Sequence, residues 1–374
     1  MNTALAMAMP AAADAVRELA ARDPALPDLG LVLDDERRSE ALGSATTVER
    51  LRYKPGASVV AAVRDGHGEL LWIVSYADPR KLRKSAHRAE RSGAEAIPLS
   101  PLTLSGPAYA DRLLARVVRR VFAAKAAWLG GASVIRYNPL RRLVLHDDGW
   151  ALKLAAVAQA PAAAAFLASR GLPVLAPERI ADDAWAYPWW GAGDLVSRGD
   201  ADLAASAGAA LLGIHRTPPG RLVAPVFDAA RVASAAGAAV GALLPALAPR
   251  IRRLVTGIGD LRGPWVLSHG DWSEDQVLTD GEEVRIIDLD RAVLAPRELD
   301  LGCFLAGGGD PAMLDGYRTA GGSVDDQALA GWRALAHLQR AVEPFRRGST
   351  TWPRDIERAL TRAERALCGA EDRR

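Results

Sequence analysis

Two aspartates, Asp271 and Asp288, flank a short segment that reads as a β-hairpin, and that placement can do chemistry. The stretch from His269 to Gly302 runs HGDWSEDQVLTDGEEVRIIDLDRAVLAPRELDLG. Gln276-Val277-Leu278 and Val284 to Ile287 have strand character, and Asp280-Gly281 between them is a turn pair. Such a hairpin brings the residues before its first strand and after its second to the same end. One carboxylate there could accept the proton of an attacking hydroxyl, and the other could ligate a Mg²⁺ that carries a polyphosphate.

The spacing resembles the catalytic core of the aminoglycoside phosphotransferase and choline kinase family. That pattern has His-Gly-Asp, an Asn five residues after the Asp, an Ile-Asp, and a further Asp-Leu-Ala or Asp-Leu-Gly twelve residues on. It is met here by His269-Gly270-Asp271, Ile287-Asp288 and Asp300-Leu301-Gly302 with the spacings kept, while the Asn position holds Gln276. Four landmarks at fixed separations are a specific signal, and a solvated loop of surface acids is the lesser reading. The resemblance implies an α+β, bilobal protein-kinase-like fold with a β-meander N-lobe and a mainly helical C-lobe. It implies Asp271 as the residue that orients the acceptor hydroxyl, Asp288 and Gln276 as metal contacts, and His269 and Asp300 as organisers of the loop. Gln keeps the amide oxygen of Asn but adds a methylene, so the strand or the metal must shift by about 1 Å or a water must intervene.

The elements that position these residues begin with a repeat. Arg50 to Tyr53, a Lys54-Pro55-Gly56 turn, Val59 to Val63, a turn at Asp65 to Gly68 and Leu70 to Val74 form a three-stranded meander. From Val134 to Leu154 the order recurs, with Arg136-Tyr137-Asn138-Pro139 answering Arg52-Tyr53-Lys54-Pro55 at a distance of 84 residues. Aligning Gly68 with Gly149 sets Trp72 opposite Lys153, so the second copy alone carries a cation on its third strand. Lys153 resembles the family's phosphate-binding lysine. The first meander is then an additional N-terminal β-containing module without a nucleotide site, expected to pack beside the nucleotide-binding lobe through Val59, Leu71 and Ile73. A basic helix from Ala108 to Ala127 joins the two copies.

After Lys153 an alanine-rich helix is expected over Ala155 to Arg170, ended by Gly171. The family's acid that pairs with the lysine is missing from it: no Asp or Glu occurs between Lys153 and Glu178, and Gln159 is the nearest polar side chain. Two short strands surround Asp182-Asp183, and by resemblance Tyr187-Pro188-Trp189-Trp190 is the hinge where adenine would meet the backbone. His215 ends a helix as a packing or capping residue. Beyond Gly302 the chain is helical.

Length and composition bound the rest. A chain of 374 residues suits two or three modules. The divisions are 1–105 for the N-terminal module, 106–190 for the nucleotide-binding N-lobe and hinge, and 191–374 for the C-lobe. A hydrophobic share of 49%, 25% charged residues and a net charge of +2 describe a globular protein, with no nucleic-acid partner implied. No window is long and apolar enough for a membrane span, and Met1 to Met9 lacks the basic start of a signal peptide. Two cysteines, Cys303 and Cys368, suit a reducing cytoplasm.

The function expected is an ATP-dependent, or GTP-dependent, small-molecule kinase that uses Mg²⁺ and acts on a hydroxyl of an aminoglycoside, sugar or related metabolite or antibiotic, as a monomer or homodimer. Glu274, Asp275 and Glu343 are candidate contacts for a cationic acceptor such as an amino sugar. The alternative is a catalytically impaired kinase-like binding protein, suggested by Gln276 and by the missing acid after Lys153.

Overall fold

Apolar, largely β-branched runs between Thr46 and Pro107 form a five-stranded antiparallel sheet in the computed structural model, which describes residues 9–122, 131–157 and 161–369. Its strands are β1 (Thr46–Lys54), β2 (Ser58–Asp65), β3 (Leu70–Tyr76), β4 (Ile97–Ser100) and β5 (Thr103–Pro107), ordered β1-β2-β3-β5-β4. Between β3 and β4 runs the helix Pro79–Arg91, whose start is set by an Asp78 cap and by Pro79 in its first turn. The second sheet has β6 (Ser133–Asn138), β7 (Arg142–Asp147), β8 (Trp150–Ala155), β9 (Glu178–Ala181) and β10 (Ala184–Pro188), ordered β6-β7-β8-β10-β9. The order is the same in both sheets, with a helix after the third strand of each. The repeat therefore extends from the three expected strands to five strands and a helix.

That second helix is shorter than expected. Ala155 belongs to β8, and the helix spans Ala162–Ser169, directly after Pro161. Proline has no N–H to donate and disfavours helical backbone in the residue before it, so the helix cannot extend back through it without loss. Gly171 closes the turn at φ 76°, as its position implied. Gln159 lies outside the described residues. Of the basic helix expected from Ala108 to Ala127, a 3₁₀ turn at Ala108–Ala110 and a helix at Ala115–Val121 are present, and 123–127 lie outside the described residues.

Each copy also holds its first hairpin by the same device. The carboxylate of buried Asp23 accepts hydrogen bonds from the Tyr53 hydroxyl and the Gly56 N–H, both at 2.8 Å. The carboxylate of buried Asp111 accepts from the Tyr137 hydroxyl at 2.8 Å and the Leu140 N–H at 2.7 Å. Gly56 and Leu140 occupy the same turn position with φ of 66° and 62°. Glycine adopts that left-handed backbone freely, whereas leucine does so at a cost, and the Asp111 contact holds it there. Burial raises the Asp111 carboxyl pKa, and the bonds it accepts from Leu140, Leu113 and Tyr137 oppose that rise.

The first sheet is buried on both faces, so its strands read as nearly unbroken apolar runs. Leu51, Val59, Ala61, Val63 and Ile73 share one apolar cluster with the C-terminal helices Ala229–Leu243, Asp326–Arg340 and Trp352–Leu367. Val59, Leu71 and Ile73 thus pack toward the C-terminal helices and not toward the second sheet. The opposite face, with Val60, Ala62, Trp72 and Val74, packs against Leu143, Leu145, Leu152 and Leu154 of the second sheet. The Trp72 ring lies over Gly106, where a Cβ would come within 2.4 Å of it. The face equivalent to the Lys153 face is therefore filled with indole and covered by the second sheet.

The C-terminal part is helical around two small strand groups. β11 (Gly193–Asp194), β13 (Val277–Thr279) and β14 (Val284–Ile286) form one sheet, and β12 (Trp265–Ser268) pairs with β15 (Val293–Pro296). β12 delivers the loop that begins at His269. A third cluster, containing Leu203, Leu211, Trp272, Phe304 and Tyr317, forms the floor beneath that loop. Among the described residues no helix is long and apolar enough to cross a membrane.

Candidate active site

Asp300 organises the loop that carries Asp271. It lies in the first turn of the helix Glu298–Ala306, and its side chain is fully buried. It accepts the backbone N–H of His269 at 2.7 Å and of Gly270 at 2.8 Å, and the His215 ring Nε2 stands 3.0 Å away. A buried carboxylate that meets three donors is satisfied where an isolated one would be costly. His215 Nδ1 in turn lies 2.9 Å from the Tyr317 hydroxyl. The chain His215–Asp300–loop ties the helix Ala201–Arg216 to the loop that carries Asp271, a role that the place of His215 at a helix end did not reveal.

His269 is a bracing residue. Its Nε2 lies 2.8 Å from the Ile287 carbonyl, which can only accept, so Nε2 carries the proton. Nδ1 is then free to accept the Asp271 N–H at 3.3 Å. One imidazole thus spans from the loop before β13 to the residue before Asp288. Gly270 cannot be replaced without strain, because its φ is 81° and a Cβ would stand 2.2 Å from the Arg291 carbonyl oxygen.

Across the cleft, β8 presents Lys153 to Asp288, with Nζ 2.7 Å from Oδ1. The same ammonium pairs with Asp290, and Arg142 lies 3.3 Å from Asp288 and 3.4 Å from Asp290. Burial works to raise the Asp288 pKa, but the charges of Lys153 and Arg142 outweigh it and hold the carboxyl well below the usual range. Asp288 itself has φ 57°, a left-handed conformation that aims its side chain back into the cleft. The acid absent after Lys153 is therefore supplied from the other lobe, two residues past Asp288.

Gln276 is buried at the end of the 3₁₀ turn Glu274–Gln276, and its backbone carbonyl accepts the Ile287 N–H at 3.0 Å. Its side-chain amide has no hydrogen bond among the described residues. Asp288 and Gln276 offer one carboxylate and one neutral oxygen, and no group of three or more His, Cys, Asp or Glu among the described residues could hold a metal. That donor set fits Mg²⁺, which takes one or two protein oxygens and completes its shell with phosphate and water.

The register of the second sheet defines the cleft wall. Lys153 pairs with Val144 on one side and Trp185 on the other, and Ala151 pairs with His146 and Tyr187. All of these share the face opposite the Leu143, Leu145, Leu152 and Leu154 core. Burial, then the charges of Asp290 and Asp288, raise the Tyr187 hydroxyl pKa. The Trp189 backbone N–H donates to the Gly149 carbonyl at 2.7 Å, and the Trp189 ring meets His146 at 4.1 Å between centroids with a tilt of 36°. Trp190 packs under the Arg285 guanidinium, 5.4 Å away, at the β13–β14 hairpin. Trp185, whose buried indole N–H has no partner among the described residues, lies on the cleft face and was not singled out by the sequence.

Asp271 is partly exposed and pairs with Arg291 at 3.1 Å. The three acids expected at the acceptor are already engaged. Glu274 accepts the Asp310 N–H at 3.1 Å, and Asp275 takes the Ser273 hydroxyl at 2.5 Å. Glu343 receives Arg50 and Arg346, each at 2.6 Å. Burial acts to raise the Glu343 pKa, but the bond and charge of Arg50 and of Arg346 hold it at about 2.

Residues 109–341, well over half of the chain, match the sequence model of the phosphotransferase enzyme family. Among solved structures, a choline/ethanolamine kinase family protein from Mesorhizobium loti is 16% identical, with 68% of this chain and 99% of that chain covered and a TM-score of 0.47. Spectinomycin phosphotransferase in complex with ADP and spectinomycin is 16% identical, covers 63% of this chain and 92% of its own, and has a TM-score of 0.48. A phosphotransferase crystallised with GDP and kanamycin is 14% identical over 63% of this chain and 93% of that chain, with a TM-score of 0.48. No curated protein matches the chain by sequence.

Proposed function

The chain belongs to the phosphotransferase enzyme family, whose members move a phosphoryl group to a hydroxyl of a small molecule, and we propose that it does so from ATP, or GTP, with Mg²⁺. The observation that carries this reading is the meeting of Lys153, Asp288 and Asp290 across the cleft, with His269 bracing the loop that carries Asp271 against the Ile287 carbonyl next to Asp288. Phosphoryl transfer asks the protein mainly for positioning and charge neutralisation. Asp271 would accept the hydrogen bond of the acceptor hydroxyl and turn that oxygen toward the transferred group. Lys153 has three N–H donors, so it can keep Asp290 and still reach a phosphate oxygen. Arg142 adds a second cation at the same place. Asp288 and Gln276 would hold Mg²⁺, which when bound neutralises charge on the phosphates.

Tyr187, Trp185 and Val144 line the wall against which the base would lie, with the backbone after Tyr187 as its edge. Residues 1–105 then act as a module without a nucleotide site of their own, and residues 106–190 and 191–374 form the two lobes of the site. The test is acceptor-dependent ADP release with Mg²⁺-ATP against aminoglycosides, sugars and nucleoside antibiotics. Turnover that needs both Mg²⁺ and a hydroxyl acceptor supports the reading, and nucleotide binding without transfer to any acceptor favours an impaired binding protein.

A further inference from the structure

The net charge of +2 is small, but the cations are not evenly spread. The helix Pro79–Arg91 reads PRKLRKSAHRAER and carries Arg80, Lys81, Arg83, Lys84, Arg88 and Arg91 against a single acid, Glu90, which stands 3.7 Å from the His87 ring. Leu82, Ser85 and Ala89 form its buried side, which lies on β3 and β5. At 3.6 residues per turn Arg80, Lys84, Arg88 and Arg91 then follow one another along the other side, with Arg80, Lys84 and Arg91 exposed and Arg88 half-buried. The helix Ala115–Val121 adds exposed Arg116 and Arg119, three residues apart on one face. Arg119 Nη1 donates to the Arg91 carbonyl at 3.1 Å, which joins the two helices at that end. None of these Lys and Arg side chains has an ion-pair partner among the described residues, whereas Arg120 is answered by Asp183 at 2.8 Å.

The arrangement costs the fold stability. Like charges at i and i+4, as in Arg80–Lys84 and Lys84–Arg88, repel one another and weaken a helix. The first turn carries Arg80 and Lys81 and no acid, against the sign that the helix dipole favours there. The duplication supplies a comparison. In the second copy the helix at the same place, Ala162–Ser169, holds no charged residue, and Ala163, Ala164 and Leu167 are buried in one cluster with Leu203 and Trp272 of the C-terminal part. The first-copy helix keeps its apolar side for its own sheet and turns its cations outward.

A dense row of unpaired cations is matched by a polymer of phosphates. Along the roughly 16 Å from Arg80 to Arg91 a nucleic-acid duplex carries about ten phosphate charges. Neither helix contains a Phe, Tyr or Trp on its outer side on which an unpaired base could stack, and Leu82, Val117 and Val118 are buried and so cannot enter a bilayer. We propose that this strip binds the sugar-phosphate backbone of a nucleic-acid duplex without reading its sequence. Binding there does not depend on the phosphotransferase reading above.

The experiment is fluorescence anisotropy of the full chain with labelled mixed-sequence duplexes of about 20 base pairs, one of RNA and one of DNA, from about 50 to 200 mM salt. At least one duplex should bind, with an affinity that falls about 10²- to 10³-fold over that range, and the ratio between the two identifies which nucleic acid is preferred. The combined variant Arg80→Gln, Lys84→Gln, Arg91→Gln should weaken binding alike for unrelated sequences and lower the slope of log affinity against log salt by about three. Its Tm should not fall, since like-charge repulsion is relieved, and its affinity for the non-hydrolysable ATP analogue AMP-PNP should match the parent's. Lys84→Glu alone should act in the same direction by less, and it carries the test if the combined variant does not fold. The proposal is overturned if neither duplex binds at about 50 mM salt, if affinity is indifferent to salt, or if the variants bind as the parent does. Tighter binding of vesicles of phosphatidylserine and phosphatidylcholine in equal parts than of either duplex, at equal phosphate concentration, overturns it as well and assigns the strip to a membrane surface.

Discussion

Asp290 pairs with Lys153 across the cleft, so the acid that steadies this lysine comes from the C-terminal lobe and not from the helix after β8. A lysine held from the opposite lobe is held only when the lobes are together, which couples the position of Lys153 to cleft geometry. Asp290→Asn keeps the shape and removes the charge. Its expected effect is a rise of about tenfold in the nucleotide KM with a smaller change in kcat, read from initial rates at varied ATP. Asp290→Glu should recover part of the loss. An unchanged KM in Asp290→Asn would mean that Asp288 alone positions Lys153.

Metal binding is expected to depend on Asp288 first and Gln276 second. Asp288→Ala should abolish the Mg²⁺ dependence of nucleotide binding in calorimetry, while Gln276→Asn is tolerated and Gln276→Ala raises the Mg²⁺ concentration needed for half-maximal activity. Unaltered Mg²⁺-ATP affinity in Asp288→Ala would move the site to Asp290.

Asp300 is expected to matter for stability as well as turnover. Asp300→Ala leaves the N–H groups of His269 and Gly270 and the His215 ring without their acceptor, at a cost of about 1 to 3 kcal/mol for each buried group. Thermal unfolding should shift down by several degrees. A variant as stable as the parent would show that the loop is held by Gly270 and the His269–Ile287 bond alone.

Glu343 gives a pH signature. Its folded pKa of about 2 lies below the ordinary 4.5, so it contributes stability that is present above the unfolded value and lost as pH falls from 4.5 toward 2. The contribution is about 3 kcal/mol at most. The difference in unfolding free energy between the parent and Glu343→Gln should therefore narrow over that acid window and stay flat above about pH 5.5. A difference that does not change with pH would mean that Arg50 and Arg346 leave the carboxyl unshifted.

Local chemistry made much of this site legible in the sequence. Asp280-Gly281 marks the turn of the β13–β14 hairpin because few other pairs suit it, and the strands on either side follow. The five-strand repeat was visible as far as its two three-stranded meanders, anchored by the matched Arg-Tyr-X-Pro segments, since β4 and β9 at the other edges carry no identical residue. What could not be read depends on distant partners. Asp290 meets Lys153 from 137 positions away, and Arg50 meets Glu343 from 293. Val59 to Val63 is apolar at every position, which says that both faces are buried but not which face meets which layer. The Asp23 and Asp111 caps were hidden for the same reason, being single acids in unremarkable surroundings that gain meaning only beside Tyr53 and Tyr137.

The central claim is that Asp271 orients the acceptor hydroxyl while the nucleotide is held elsewhere, by Lys153 and Asp288. The direct measurement is acceptor-dependent turnover with Mg²⁺-ATP in Asp271→Asn, together with the affinity of the same variant for Mg²⁺-ATP. Turnover should fall by roughly 10² to 10⁴ with nucleotide affinity nearly unchanged. Full turnover in Asp271→Asn would contradict the account.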